Sequence, residues 1–415
     1  MTPWRLKAPR LTGIQSEWED AVVLQARVRR NEGRILSAAV DLASSIGWAG
    51  VTLAGVGKAA GLTIRPVRDR YPTRGALAAA AWNEVAGPAL RDALAAALHS
   101  AGLRDQPAAE SPFESAMHAL AIPSAQLRAA AEFAVVSCFE PVLREAVAST
   151  LGASVRTWLD PAAAEGPSRA AKRGYLVALA LGLLATAQRP GIPDWDFDPL
   201  WHRLLSIIAA HQAPVQLPDE PRPHHLAFIP FDPGDDTTDS LLRAAIDHLG
   251  RNGYEGSLLS SVAGAAGVSE ASVFVRYPSK EAFFVDAINR HQDIAMPAQG
   301  EYLARLEQAY GTGIAEAIAI RGTMHASERI INVIEMERAR LTWHRPNIAA
   351  ADEDRLQELV REVLARDPAN VEFSDPARVH LARALGIGVS FVPLIDEVAW
   401  NLPYDVITIP MNETE

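Results

Sequence analysis

Three arginines lie close together in the stretch IRPVRDRY, at positions 65, 68 and 70. A guanidinium group stays charged at physiological pH and presents a planar fork of N–H donors. That fork fits a phosphate, a carboxylate or the O6/N7 edge of guanine in a DNA major groove. Arg65, Arg68 and Arg70 are therefore predicted either to contact DNA or to form surface ion pairs with Asp69 and neighbouring acids.

The segment that contains these arginines occurs twice. KAAGLTIRPVRDRYPTRGAL has a near-copy, GAAGVSEASVFVRYPSKEAF, 206 residues later. At that offset 34–77 aligns with 240–283 without a gap, and 16 of 44 positions are identical. The same offset pairs Gly182 with Gly388 in two later apolar segments. Two copies are too few for a solenoid, so the sequence predicts a duplicated domain.

Both copies show the pattern of a helix, a turn at a glycine and a second, capped helix. RILSAAVDLASSIG has apolar residues at helical spacing up to Gly47. Thr52 is predicted to cap LAGVGKAAG, and Thr63 to cap IRPVRDRY, which Pro72 ends. In the later copy Ser269 caps EASVFVRY. This is the pattern of a helix-turn-helix whose last helix can enter a major groove; the alternative is a helical hairpin that only packs.

Composition and charge narrow the classes of protein that fit. The chain has 415 residues, 49% hydrophobic and 7% aromatic, which favours two or more all-helical cores. A single cysteine, Cys138, excludes an internal disulfide framework and is predicted to be a buried, inert thiol rather than a redox sensor. No signal peptide is evident, and the apolar run at 175–187 is too short for a bilayer, so we expect a cytoplasmic protein without membrane association. The net charge of −11 does not exclude a local basic patch.

Catalytic and metal-binding motifs are missing from the sequence. It contains no G-x-S-x-G, H-E-x-x-H, Walker or G-x-G-x-x-G pattern. His224 and His225 are adjacent but lack cysteines or a regular ligand spacing, and we expect them to be solvated rather than to bind metal. No enzyme activity, cofactor or metal is predicted.

The details of the repeated segment resemble the DNA-binding head of TetR-family repressors. AGVSEASVFVRYPSKEAF carries the resemblance best, through its Ala-Gly-Val-Ser turn, its aromatic-containing recognition helix and its Tyr-Pro-Ser-Lys-Glu ending. AGLTIRPVRDRYPTRGAL is a looser match, and the remaining helices resemble the family only generically. The resemblance implies an all-α fold of two tandem TetR-like domains. Each would be a three-helix helix-turn-helix head followed by a helical body for ligand binding and dimerisation.

The repeat and the resemblance together divide the chain into six segments. These are an N-terminal extension at 1–24, a first head at 25–80, a first body at 81–212, a Pro- and acid-rich linker at 213–236, a second head at 237–286 and a second body at 287–415. The first head holds nine Lys/Arg against three acids, a charge of +6; the equivalent window 231–286 holds four against nine, a charge of −5. Phosphate contacts supply most non-specific affinity, so the first head is predicted to be the stronger anchor on DNA.

Candidate DNA-contacting residues lie in both heads. They are Arg30, Thr52, Lys58, Thr63, Arg65, Arg68, Arg70, Tyr71 and Arg74 in the first head, and Ser269, Ser272, Phe274, Arg276, Tyr277 and Lys280 in the second. Lys280 matches the family's phosphate-contacting lysine, whereas Glu270 and Val275 depart from its usual polar or basic choice. Arg27, Arg29 and Arg30, ahead of the first helix, form either an arm for the minor groove or a basic end without that role.

The bodies are predicted to enclose an apolar effector pocket, as the resemblance implies, or simply to pack. The candidate lining residues are Phe113, Met117, Phe133, Phe139 and Trp158 in the first body and Met324, Met336 and Trp343 in the second. Few charges lie in these segments, so any effector is expected to be a small hydrophobic molecule. The chain is expected to act as a monomeric pseudo-dimer or a homodimer. Its ending, YDVITIPMNETE, is too short for a full last helix, so an internal pseudo-dimer would be lopsided.

The resemblance implies a DNA-binding transcriptional regulator. We expect a ligand-responsive repressor that binds double-stranded operator DNA through two non-identical heads. The alternative is a ligand-binding or scaffold protein in which one or both heads no longer bind DNA.

Overall fold

A computed structural model describes the fold of most of the chain. The described residues are 12–104, 112–160, 166–187, 195–210, 217–218, 231, 234–323, 329–366 and 375–395. No strand occurs in these ranges, which confirms the predicted all-α fold. The abundance of alanine and leucine, both strong helix formers, accounts for this result. His224, His225 and Met324 lie outside the described residues, as do most of the predicted linker and the segment 396–415.

Nineteen α-helices and two π-helical turns occur in the described part of the chain. The helices of the first half are α1 Thr12–Gly50, α2 Leu53–Ala59, α3 Ile64–Arg70, α4 Arg74–Ala81, α5 Gly87–Ser100, α6 Phe113–Ala121, α7 Ala125–Val136, α8 Pro141–Val147, α9 Ala153–Leu159, α10 Pro167–Thr186 and α11 Asp198–Ala210. Those of the second half are α12 Asp236–Gly256, α13 Leu259–Ala265, α14 Glu270–Arg276, α15 Lys280–Tyr310, α16 Thr312–Thr323, α17 Arg329–Thr342, α18 Pro346–Arg366 and α19 Pro376–Ile395. The π-helical turns are Trp82–Ala86 and Ala148–Gly152.

The first helix corrects one prediction. Arg27, Arg29 and Arg30 lie inside α1, not ahead of it, because the helix already begins at Thr12. Helix formers continue through this segment, and Gly33 is tolerated because a helix interior accepts a glycine at a cost of about 1 kcal/mol. The three arginines are exposed on the helix surface, so they do not form a free arm.

The halves share one large hydrophobic core. It joins the first head and the first body with buried residues of α17 and α19 from the second half. A second core lies within the second head, where α12 to α15 pack on Ile334 and Leu341 of α17. Cys138 is buried in the large core, and burial raises the pKa of its thiol to about 11. Its placement agrees with the predicted inert thiol.

Two glycines at equivalent positions let α10 and α19 pack directly on each other. A methyl group at Gly182 would overlap the carbonyl oxygen of Ala384, and one at Gly388 would overlap that of Ala178. Ala178 and Ala384 are themselves 206 residues apart. The backbones therefore meet in a reciprocal contact, with only a hydrogen atom between them at each glycine.

One of these two helices is long and apolar enough to cross a membrane by length and composition. It is α19, and 72% of its most apolar window is buried inside the fold, mainly against α10. A bent pair, α6 with α7, passes the same test only if it is counted as one span. The apolar run at 175–187 lies at the end of α10 and is mostly buried, as predicted.

A second reciprocal contact runs between each body and the opposite head. Phe139, after α7, lies against Gly253 of the second head, with Cε2 2.8 Å from where a Cβ would stand. His344, after α17, lies against Gly47 of the first head in the same way, at 2.7 Å from Cδ2. Phe139 and His344 are 205 residues apart, and the two glycines 206. A counterpart of α11 would begin near residue 404, which lies outside the described residues.

Candidate nucleic-acid interface

The first head is built on a sharp kink near the end of α1. Gly47 has a φ of 73°, a left-handed conformation that glycine adopts without strain, and it redirects the chain so that Trp48 enters the core. Thr52 caps α2 as predicted: its hydroxyl accepts a hydrogen bond from the Gly55 N–H at 3.0 Å. Gly61, with a φ of 63°, turns the chain into α3. These local features place the recognition helix on the surface.

The recognition helix α3 is anchored through one face only. Val67 is fully buried, whereas Arg65 and Arg68 are exposed on the other side. Arg65 approaches Asp69 at 3.8 Å, but both side chains remain open to solvent. Arg68 makes no hydrogen bond or ion pair with any described residue. Thr63 stands at the predicted cap position, but its hydroxyl makes no capping hydrogen bond, which corrects that part of the prediction and leaves the hydroxyl exposed.

Arg70 has a different role from its two neighbours. Its guanidinium donates to Glu32 of α1, with Nε 3.0 Å from Oε1 and Nη2 closer still. The hydrogen bond with Glu32 and its charge raise the pKa of Arg70. Tyr71 is buried beside the pair, with its hydroxyl 3.4 Å from the same carboxylate oxygen. Arg70 and Tyr71 therefore fasten α3 to α1, and their predicted DNA contacts have little support in this geometry.

Arg74 and Lys280 occupy equivalent positions and make equivalent internal contacts. Arg74 donates to the Trp48 carbonyl at 2.6 Å and lies over the Trp48 ring. Lys280 approaches the Glu255 carbonyl at 3.5 Å and lies over the rings of Tyr254 and Phe284. Burial lowers the pKa of Lys280. Both basic groups contact the kink near the end of the first helix of their own head; Arg74 is nevertheless exposed, whereas Lys280 is half-buried.

The second head repeats this construction with a different outer face. Ser269 caps α14 as predicted, accepting from the Ser272 N–H at 3.3 Å, and the two hydroxyls lie 3.0 Å apart. Val273 is buried at the position equivalent to Val67. Phe274 and Val275 point outward instead, 53% and 82% exposed. The recognition helix of the second head thus presents an apolar surface where the first head presents arginine.

The basic residues of α14 and its end are engaged with their own head. Arg276 donates to the Thr238 hydroxyl at 3.0 Å and lies 3.4 Å from Asp235. Thr238 is equivalent to Glu32, so both heads fasten the recognition helix to the first helix at the same place. Tyr277 is half-buried and donates to Asp286 at 2.7 Å. This geometry therefore gives little support to the predicted DNA contacts of Arg276 and Tyr277, as it does for Arg70 and Tyr71.

Exposed cations remain mainly on the first head. Lys58, Arg65 and Arg68 are exposed around α3, and Arg30 is exposed on α1. This distribution agrees with the predicted difference in charge between the heads. Because arginine can bind guanine through two hydrogen bonds and apolar groups can contact the thymine methyl group, the two helices can favour different bases.

The candidate pocket residues lie in or beside the core. Met117, Phe133 and Met336 are fully buried, and Phe113 and Trp158 nearly so. Phe133 packs edge-on against Trp48 at 5.2 Å, while Trp343 donates from Nε1 to the Ala185 carbonyl at 3.0 Å. Phe139 packs against Gly253 of the second head. These contacts fit core packing, and an effector site remains a prediction. No cluster that could hold a metal occurs among the described residues.

Sequence reasoning missed a buried charged group between the halves. Glu132 of α7 and Glu337 of α17 are fully buried, and Arg340 lies between them. The two glutamates are 205 residues apart, and each stands nine residues before a proline, Pro141 or Pro346. An alignment of the bodies at an offset of 205 would therefore have paired them.

Comparison with known families supports the geometry of the second head. Residues 241–287 match the family model described as "Bacterial regulatory proteins, tetR family". The matched segment runs from α12 through α13 and α14 into α15, which is the helix-turn-helix just described. No similar curated protein is found. The match supports a DNA-binding transcriptional regulator.

Proposed function

We propose that the protein is a transcriptional regulator that binds double-stranded operator DNA with both heads of one chain. The observation that carries the proposal is the paired construction of α3 and α14. Each is a short helix whose buried valine anchors it and whose opposite face is exposed. A recognition helix needs such a free face to enter a major groove. The tetR-family match supports DNA binding by the second head.

The two halves would act together as an intrachain pseudo-dimer. The reciprocal contacts of Gly182 with Ala384 and Gly388 with Ala178 support this arrangement, since a two-fold interface pairs each surface with its equivalent. The contact of Phe139 with the second head and that of His344 with the first head support it as well. A covalent pair of heads is free to diverge, so its operator need not be palindromic.

The regulator would be a cytoplasmic repressor that responds to a small hydrophobic effector. This part of the proposal rests on the resemblance of the heads and on the apolar character of the bodies. Release from DNA would follow when an effector changes the distance between the heads.

A second candidate function has one observation in its favour. Arg276 and Lys280 are engaged inside the second head, whose recognition helix presents Phe274 and Val275. Such a surface suits a protein partner as well as DNA. In that case the second head would serve as a binding module, and the chain would be a ligand-binding or scaffold protein.

The proposal is tested by selecting duplexes from a random library with the full chain at low salt. We expect a preferred fragment whose affinity falls steeply as salt rises, because Lys and Arg displace counterions from phosphate. Arg68→Ala should weaken binding by about 1–3 kcal/mol if Arg68 contacts a base.

The matched control is Arg305→Ala, which removes an exposed arginine on α15 in the second body and should leave binding unchanged. If no fragment is enriched over random DNA, the regulator proposal fails and the scaffold alternative gains.

A further inference from the structure

In each head, one backbone N–H donates a hydrogen bond to a buried carboxylate of the body. The Trp48 N–H donates to Glu132 Oε1 at 2.7 Å, and the Tyr254 N–H donates to Glu337 Oε1 at 2.7 Å. Trp48 and Tyr254 both follow the left-handed glycine that ends the first helix of their head. The two carboxylates therefore accept hydrogen bonds from equivalent positions in the two heads.

One guanidinium connects these two carboxylates. Arg340 Nη1 lies 3.0 Å from Glu132 Oε1, and its Nε and Nη2 lie 2.7 and 2.9 Å from the two oxygens of Glu337. Arg340 Nη2 also donates to Glu255, at 2.5 Å. The Arg340 side chain is only 3% exposed. A single buried cation thus bridges the attachment points of both heads.

The planar fork of arginine makes this bridge sensitive to distance. Hydrogen bonds weaken quickly beyond about 3.2 Å, so α7 and α17 cannot separate without losing one carboxylate from the fork. A buried carboxylate that loses its cation is strongly unfavourable. Phe139 and His344 lie in the same region, each beside the glycine of the opposite head. These contacts therefore connect the two heads directly.

We propose that Arg340 is a positioning residue that fixes the separation of the two heads. This inference rests on the proposed function. Two half-sites on one face of a duplex are one helical turn apart, about 34–36 Å, and the second head adds affinity only when the spacing matches. Arg340 touches no DNA in this scheme. It sets which half-site spacing the protein accepts.

The test compares Arg340→Gln with Arg338→Gln in the full chain. Arg338 is a matched control, since it is also an ion-paired arginine of α17 and is mostly removed from solvent, with its side chain 13% exposed, but its partners Glu335 and Asp352 belong to the second half alone. The probes are the selected operator fragment, the same fragment lengthened by two base pairs between its half-sites, and a fragment with one half-site scrambled.

Wild type and Arg338→Gln should prefer the original spacing over the lengthened one by roughly tenfold or more. Arg340→Gln should reduce this preference to about twofold and change affinity for the single half-site by less than about twofold. Arg340→Lys keeps the charge without the fork; it should also lose the preference, and it provides the test if Arg340→Gln does not fold.

An unchanged spacing preference in folded Arg340 variants would overturn the inference. It would also be overturned if single-half-site affinity fell as much as operator affinity, because the role of Arg340 would then be merely structural. If wild type binds no duplex at low salt, the proposed function itself fails; if it binds without any spacing preference, only the present inference fails.

Discussion

Gly388→Ala is expected to destabilise the protein because the added methyl group has no space. It would overlap the Ala178 carbonyl oxygen, which belongs to the backbone of α10 and cannot rotate away. To accommodate the methyl group, α19 must move off α10, and the apolar residues along both helices lose contact. Overpacking of this kind costs about 1–3 kcal/mol, and a rigid backbone neighbour places the cost near the upper end.

The chain provides a matched control two residues earlier in the same helix. Gly386 is exposed, and a methyl group there would meet nothing within 4 Å. Both substitutions gain the same helix propensity, about 1 kcal/mol relative to glycine, so their difference reports the clash alone. Gly388→Ala should therefore be less stable than Gly386→Ala by about 3 kcal/mol.

Urea denaturation followed by circular dichroism measures this difference. Gly386→Ala should unfold at or slightly above the wild-type midpoint, and Gly388→Ala clearly below it. The double variant Gly182→Ala/Gly388→Ala should cost less than the sum of the single changes, because helices already separated for one methyl group have room for the second. Equal midpoints for Gly386→Ala and Gly388→Ala would show that α10 and α19 do not cross at these glycines.

Two further predictions concern a buried acid and an exposed valine. Burial raises the pKa of Glu132, but the charge of Arg340, together with His344 and the Trp48 N–H, outweighs it and holds the pKa below its ordinary value of 4.5. The stabilisation that ionised Glu132 provides is therefore present above pH 4.5 and is lost as the pH falls below it. In urea denaturation, Glu132→Gln should lower the free energy of unfolding more at pH 7 than at pH 4. An equal loss at both pH values would contradict a lowered pKa of Glu132. If Val275 contacts thymine methyl groups, replacing thymine with uracil in the half-site of the second head should weaken wild-type binding about fourfold per methyl group. Binding by Val275→Ala should not change. Equal sensitivity of the two proteins to this replacement would refute the contact.

Local sequence patterns predicted the architecture of both heads. Thr52 and Ser269 cap their helices, and Gly47 ends the regular part of the first helix, because each of these features depends on a few neighbouring residues. The failed cap at Thr63 shows the limit of such reasoning, because a suitable residue in a suitable place need not form the hydrogen bond.

Contacts between distant residues could not be predicted in the same way. The sequence predicts for Arg70 either a DNA contact or an ion pair with Asp69 and neighbouring acids, but its partner is Glu32, 38 residues earlier on α1. Arg340 and Glu132 are 208 residues apart. No periodicity or motif indicates that either pair will meet. Only the repeat relates distant residues to each other, because it makes Glu132 equivalent to Glu337. The repeat does not indicate which residue lies between these two glutamates.

A single arginine at the position of Arg340 is incompatible with a symmetric homodimer. At the offset that pairs Glu132 with Glu337, the counterpart of Arg340 is Val135, a buried residue of α7. In a symmetric homodimer both positions would have to be arginine or both valine. Two arginines would place two cations in a space that holds one, and two valines would leave two buried carboxylates facing each other without a cation. Fusion of the halves removes this constraint, because a single guanidinium can then lie between two equivalent acids and serve both heads.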